Sequence, residues 1–323
     1  MHIHKLLLIC IGTLLIGFQA SCQQKAKPYA QLEIQGTMQN LDSLLHTYRS
    51  RPIYWATYGN EGCLFDLRIN DVTVHQLKHA GSIAGTASSL NPYIMRSGKQ
   101  KVSVKLTPFP GKTKIWDSHQ PTFEPFKLYI SYIDFSLPEE EQEEVIVLTM
   151  PELKLITDEG GIPSYTYEAE FEAKVPYAVN GYTDGIDLRE IPDIEARVVA
   201  EFKKVRQWMV DREFDTLKKY LAIRDNEIGV TQYQSNKKSE LEWKNYESDI
   251  LERPAEGYLP IEDYSLKFQA EGRLVTLYST KKRGFRSALL AIKQEEGSDE
   301  YEYTSFDLLL KMKKGTNKLI PTM

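Results

Sequence analysis

The chain has 323 residues, 41% apolar and 26% charged, with 19 glycines and 15 prolines, which excludes a disordered or collagen-like chain and suits about two domains of ~150 residues. Its 40 lysines and arginines stand against 45 aspartates and glutamates, a net charge of -5. That balance lacks the basic excess a phosphate backbone demands and argues against nucleic acid as a partner.

Residues 1–24 read MHIHKLLLICIGTLLIGFQASCQQ: Lys5, an apolar run from Leu6 to Phe18, then Gln19-Ala20-Ser21-Cys22. This is the arrangement of a signal peptide, and its apolar run is short of the roughly 20 residues a spanning helix needs. Ala20 and Ser21 before a cysteine resemble the lipobox of bacterial lipoproteins, although Gln19 stands where that family usually has a larger aliphatic residue. The resemblance covers residues 1–22 and implies that 1–21 are removed and that Cys22 carries acyl chains, the protein's link to the membrane. A plain secretory cleavage site followed by an ordinary cysteine is the alternative. At about 0.8 kcal/mol per buried methylene, such chains would hold a body with no membrane affinity of its own.

Residues 22–44 then serve as lipid attachment and tether, because the stretch after Cys22 is polar and contains Pro28. By the sorting rules of the lipoprotein family, Gln23 and the basic Lys25 and Lys27 imply the cell envelope, on the periplasmic face of the outer membrane. With Cys10 removed and Cys22 lipidated, Cys63 has no partner for an internal disulfide. It shares the apolar side of an alternating stretch with Phe65 and Leu67, the setting of a buried structural cysteine.

Over residues 45–183 the apolar period is two. Residues 64–69 and 72–75 flank Asn70-Asp71, a pair that tolerates positive φ, and should form a tight hairpin. Further strands are expected at 101–106, 127–135, 145–149, 153–156 and 165–173, the last with Tyr165, Tyr167, Ala169, Phe171 and Ala173 inward against Glu168, Glu170 and Glu172. Seven or so short antiparallel strands suit an all-β sandwich of immunoglobulin or jelly-roll type.

The period becomes 3.6 after the Asn180-Gly181 and Asp184-Gly185 loop: Ile194, Val198, Phe202, Val205 and Met209 predict an amphipathic helix that starts at Pro192-Asp193. Helices at 214–222 and 238–251 follow, then strands at 264–268, 273–278, 287–292 and 304–312. Residues 188–323 thus read as an α+β domain with helices packed on an antiparallel curved sheet, and the whole chain as a mixed fold. This order of elements resembles the cone-shaped fold of the nuclear-transport-factor-2-like superfamily, where helices and a curved sheet enclose a pocket. A cystatin-like arrangement is the nearest competitor.

Constellations for chemistry are sparse. His75 and His79 lie four apart but on a strand, without the glutamate of HExxH, so no metal is expected. The Glu139–Glu144 run reads as a solvated loop, and Asn180, Asp184 and Asp187 as a turn rather than a calcium loop. No cofactor is expected, since GxxxxGK[ST] and GxGxxG are both missing. Two patches are candidates for partner binding. Lys281, Lys282, Arg283, Phe285 and Arg286 form a cationic loop between two strands, suited to an acidic partner. Tyr54, Trp55 and Tyr58, with Tyr48, are either an aromatic platform or strand core.

The resulting expectation is a non-catalytic, lipid-anchored envelope protein that recognises a protein or a glycan. Two alternatives stand beside it: a periplasmic immunity or inhibitor lipoprotein that neutralises a secreted toxin, and an enzyme built on scattered carboxylates and tyrosines.

Overall fold

The computed structural model describes residues 40–115, 126–153, 161–281, 285–294 and 297–323. The signal segment, Cys22, most of the tether and most of the strand expected at 153–156 lie outside the described residues, as do Lys282 and Arg283. In chain order the first half holds α1 (Leu41–Leu45), β1 (Pro52–Asn60), β2 (Leu64–Ile69), β3 (Val72–Leu77), β4 (Ile83–Ser89), β5 (Gly98–Thr107), β6 (Lys127–Asp134), β7 (Val145–Thr149) and β8 (Tyr165–Ala173). The second half holds α2 (Ile194–Val210), α3 (Phe214–Thr231), α4 (Asn236–Leu251), β9 (Tyr264–Gln269), β10 (Leu274–Ser279), β11 (Leu290–Gln294), β12 (Tyr301–Ser305), β13 (Leu309–Met312) and β14 (Leu319–Thr322).

The fold is mixed and mostly β, with all strand pairs antiparallel among the described residues. Asn70 and Asp71 take φ of 51° and 62°, so β2 turns straight back into β3. Those two strands continue the order β3-β2-β5-β8, while the other first-half sheet runs β4-β1-β6-β7. Alternation sends Tyr54, Ala56 and Tyr58 of β1 and Phe65, Leu67 and Ile69 of β2 into one buried cluster. Rings meet between the sheets, Tyr58 with Phe65 at 5.6 Å and Tyr54 with Phe171 at 5.8 Å, so the two sheets share a core.

In the second half, the sheet runs β14-β13-β10-β9 and a separate pair joins β11 to β12. Val198, Phe202 and Val205 of α2 are buried with Val275 and Leu277 of β10, which sets the helices on one face of that sheet. All five apolar positions expected to face inward on α2 are buried. No helix among the described residues is long and apolar enough to cross a membrane.

The structure departs from the periodicity in three places. Helix α3 runs nine residues past 222, because Asn226, Glu227 and Gly229 interrupt its apolar stripe yet are buried. The strand expected at 304–312 breaks into β12 and β13, with Phe306 and Leu308 turned into the core around Asp307. Strand β14, which carries Pro321 and spans four residues, left no alternation to read.

Candidate binding site at the seam between the halves

Alternation in β10 gives its sheet a second face. Val275 and Leu277 look toward the helices, while Leu274 joins the first-half core and Thr276 and Tyr278 point the same way as Leu274. Gln269 adds to that face, and Lys267, two residues along β9, shares it. Opposite stands the outer side of β2 and β3. Since Phe65, Leu67 and Ile69 face the core, Asp66 and Arg68 face outward, in register with Gln76 and Thr73. The two halves therefore meet here through polar side chains as well as through Leu274.

Specific bonds fix this seam. Thr73 N donates to Gln269 Oε1 at 2.7 Å, and Gln269 Nε2 donates to the Tyr278 hydroxyl at 3.3 Å. Beside them, the β2–β3 turn meets the β9–β10 turn: Ala270 N donates to the Asp71 carbonyl at 3.1 Å and Glu271 N to Asp71 Oδ2 at 2.8 Å. Both Ala270 and Glu271 adopt positive φ, 51° and 57°, to present those amides. A recess of about 330 Å³, its open mouth included, lies in the seam and is lined in part by Thr73, Tyr93, Gln269, Tyr278, Arg286 and Asp307.

Arg286 organises the recess. Its guanidinium donates to the carbonyls of Thr73 and Val74 at 3.1 and 2.6 Å and to Asp307 Oδ2 at 3.0 Å, and it also meets the Tyr93 hydroxyl. Burial raises the Tyr93 and Tyr278 hydroxyls above their usual values, with Arg286 pulling the other way. Burial, helped by the Arg286 charge, holds His75 below its usual value. His75 Nδ1 shares a 2.5 Å hydrogen bond with the Tyr58 hydroxyl, which in turn meets Ser88 Oγ at 2.8 Å. His75, Tyr58 and Ser88 thus form a short polar line within the first half.

Three buried atoms on the outer side of β2 and β3 have no hydrogen-bond partner: Asp66 Oδ1, Thr73 Oγ1 and Gln76 Nε2. Thr73 Oγ1 sits beside the Tyr278 hydroxyl without completing a bond of ordinary geometry. Leaving such a group unpaired costs about 1–3 kcal/mol, so their concentration on one strand pair calls for a reason.

The residues nominated from sequence fall in different places. Among the described residues of the cationic loop, Arg286 is the one set in the recess, turned back onto the carbonyls of β3 rather than outward as the sequence led one to expect. Lys281 is exposed, and Phe285 packs its ring 6.3 Å from Tyr303. Tyr54 and Tyr58 are each 2% exposed, whereas Trp55 and Tyr48 are half-buried. Tyr54 donates nothing to a surface; its hydroxyl accepts from Lys174 N at 2.8 Å. Cys63 is fully buried, its thiol donates to Asn60 Oδ1 at 2.8 Å, and burial pushes it up to about 12. Residues 139–144 are largely exposed between β6 and β7. Asp184 and Asp187 are taken up by ion pairs with Lys311 and Arg189.

Sequence reasoning missed Thr73, Gln76, Gln269, Tyr278 and Asp307. Their one signal is that amides and hydroxyls recur on the supposedly wet side of strands in both halves, 196 residues apart for Thr73 and Gln269. Compared with family models, with curated proteins and with solved structures, the chain matches none.

Proposed function

We propose that the protein is a lipid-anchored binding protein of the cell envelope, held through an acylated Cys22 at the periplasmic face of the outer membrane, which recognises a protein or glycan and performs no chemistry on it. In this reading the first half is a β-sandwich of immunoglobulin or jelly-roll type. The second is a nuclear-transport-factor-2-like or cystatin-like module, and the partner docks where the two meet. The lipobox-like segment Gln19–Cys22 supports the anchor.

One observation carries the binding assignment: a recess lined by polar side chains, Thr73, Gln269, Tyr278, Arg286 and Asp307 among them, lies at the junction of two cores. Ligand sites gather at such junctions, where a few polar groups set into an apolar surround fix a partner's orientation. The test is a photo-crosslinker placed at Asp307, on the mouth of the recess, in intact cells. Capture of one discrete partner there, and not from a control position at Glu242 on α4, is the expected result. Equal yields at both positions would show that the seam is an ordinary surface.

A further inference from the structure

The sheet β4-β1-β6-β7 turns one side to the first-half core, where Tyr54, Ala56 and Tyr58 are buried, so alternation sends Ile53 and Trp55 of β1 to its other side. The register carries that side across the strands. Ile53 stands opposite Ile133 and Trp55 opposite Ser131, which in turn stands opposite Ile146 of β7. Tyr129 shares the side by alternation, and so does Phe135, whose N–H donates to the Arg51 carbonyl and extends the β1–β6 ladder. Ile53, Trp55, Tyr129, Ile133, Phe135 and Ile146 belong to neither core. Phe135 is 42% and Ile146 58% exposed. This face lies on a different sheet from β2 and β3, which form the seam.

Its rim on the β7 side is acidic. Glu139, Glu140, Glu141, Glu143 and Glu144 fill the β6–β7 connection between Phe135 and Ile146, all exposed and none in an ion pair within 4 Å among the described residues. Glu144 Oε1 accepts from Ser131 Oγ at 2.6 Å, which draws the run onto the apolar side itself. Arg51 is a cation beside them, and its guanidinium donates to the Phe135 carbonyl at 3.0 Å. On the opposite margin Gln232, at the end of α3, donates to Ser89 Oγ at 3.0 Å, and Ser89 stands opposite Trp55. The second half thus bounds the face at β4, while Ile146 leaves it open at β7. Five carboxylates repel anionic headgroups and a second copy of this acidic face, and isoleucines around Trp55 offer a sugar no hydrogen bond.

We propose that this face docks a basic amphipathic helix of a partner protein, its apolar stripe on Trp55, Ile133 and Ile146 and its cations against the Glu139–Glu144 run. The dimensions suit one helix. Strands about 4.8 Å apart set β1 and β7 roughly 10 Å from each other, and Tyr129 to Phe135 spans about 20 Å. A helix about 10 Å across, rising ~1.5 Å per residue, covers that area with about fourteen residues. The molecule covers its own second-half sheet in the same manner, with α2 laid over Val275 and Leu277. Apolar contact supplies the adhesion and the glutamates choose the sign of the partner.

The experiment is a fluorescence-anisotropy titration of the full chain carrying Cys22→Ala, which dispenses with detergent that would compete for an apolar peptide. The probe is a labelled helical peptide of about fourteen residues, leucine on one side and lysine on the other, beside a twin with glutamate for lysine. The lysine peptide is expected to bind, and its twin about ten-fold more weakly or less. Ile146→Ser and, separately, the triple Glu139→Gln, Glu140→Gln, Glu141→Gln should each weaken the lysine peptide by about ten-fold while the unfolding midpoint holds. The triple should also flatten the salt dependence of binding. Changing Glu168, Glu170 and Glu172, exposed on β8, to Gln should leave the affinity as it was, which separates this face from the acidity of the whole chain. Equal binding of the two peptides, indifference to Ile146→Ser, or an equal loss in the β8 control would overturn the proposal. So would Ile146-dependent binding of a neutral oligosaccharide or of phosphatidylglycerol vesicles with no binding of the lysine peptide, which would give the face to a glycan or a membrane.

Discussion

Glu227 of α3 and Lys311 of β13 meet at 3.7 Å with their side chains 1% and 3% exposed. Glu227 Oε2 also accepts from Thr322 Oγ1 at 2.6 Å and from Met323 N at 3.3 Å. Lys311 donates to Asp184 at 2.8 Å and to the Gly181 carbonyl. One buried cation therefore ties the connection between the halves to a helix and a strand of the second. Removing Lys311 alone leaves the buried Glu227 and the half-buried Asp184 without their cation, a loss of about 3–5 kcal/mol, whereas replacing a buried ion pair with apolar residues is often close to neutral. Lys311→Met should accordingly lower the denaturant midpoint more than the double variant Lys311→Met, Glu227→Leu, as measured by urea unfolding.

The same pair has a pH signature. Burial raises the Glu227 carboxyl above its ordinary 4.5, although Lys311 and Thr322 pull it down. A raised carboxyl binds its proton more tightly in the folded state, so this contribution to stability is full below 4.5 and fades as the pH climbs through the raised value. Glu227→Gln should abolish that slope in unfolding measured from pH 4 to 7; an unchanged slope would assign it to another group.

Arg286→Gln separates a structural role from a solvated one. Loss of its bonds to Thr73, Val74 and Asp307 should cost about 1–3 kcal/mol, against a few tenths for Lys281→Ser. It should also raise the His75 pKa toward 6.5, since Arg286 helps burial to hold it down. A depressed histidine contributes stability that is present above 6.5 and lost as the pH falls through the lowered value. That contribution should shrink in the variant, and an NMR titration of the His75 ring reads it directly.

Fragments test the division into two domains. The second-half core draws all its residues from between Leu188 and Leu319, whereas the first-half core also takes in Val230, Ala270, Leu274 and Met323. Residues 188–323 should therefore fold alone with a cooperative thermal transition, and residues 45–183 should melt at a lower temperature than the full chain. If neither fragment shows a transition, the two cores form a single folding unit.

Cys22→Ala should move the protein from the membrane fraction to the soluble fraction while its far-ultraviolet dichroism stays unchanged, if the acyl chains supply all of its membrane affinity. Recovery of the variant with membranes would mean that some other part of the chain holds it there.

Where one side of an element is apolar and the other charged, the sequence reads cleanly. β8 runs Tyr165–Ala173 as its alternating glutamates require, and α2 buries the five positions of its stripe. The second part of α3 is opaque for the opposite reason: Glu227 is inside because it bonds to Thr322 and Met323 at the end of the chain, and a local pattern holds no record of that. The seam is opaque in a third way. Thr73, Gln76, Gln269 and Tyr278 sit where an isolated sheet would face water, and period two cannot tell water from a second polar sheet laid against it. Arg286 was visible as a cation, but its inward turn depends on carbonyls 212 and 213 residues earlier in the chain.

The meeting of the β2–β3 turn with the β9–β10 turn links Asp71 to Glu271, 200 residues on. Closing a loop of that length costs about 2 kcal/mol more than closing one of twenty, so hairpins form first and the turns lock last. Until then the first half waits with Thr73 and Gln76 of β3, and Lys78 just beyond it, presented to water. On that face a half-finished chain offers its neighbours polar side chains, and the apolar surface left open by the missing second half is confined to the places that Val230, Ala270, Leu274 and Met323 later cover.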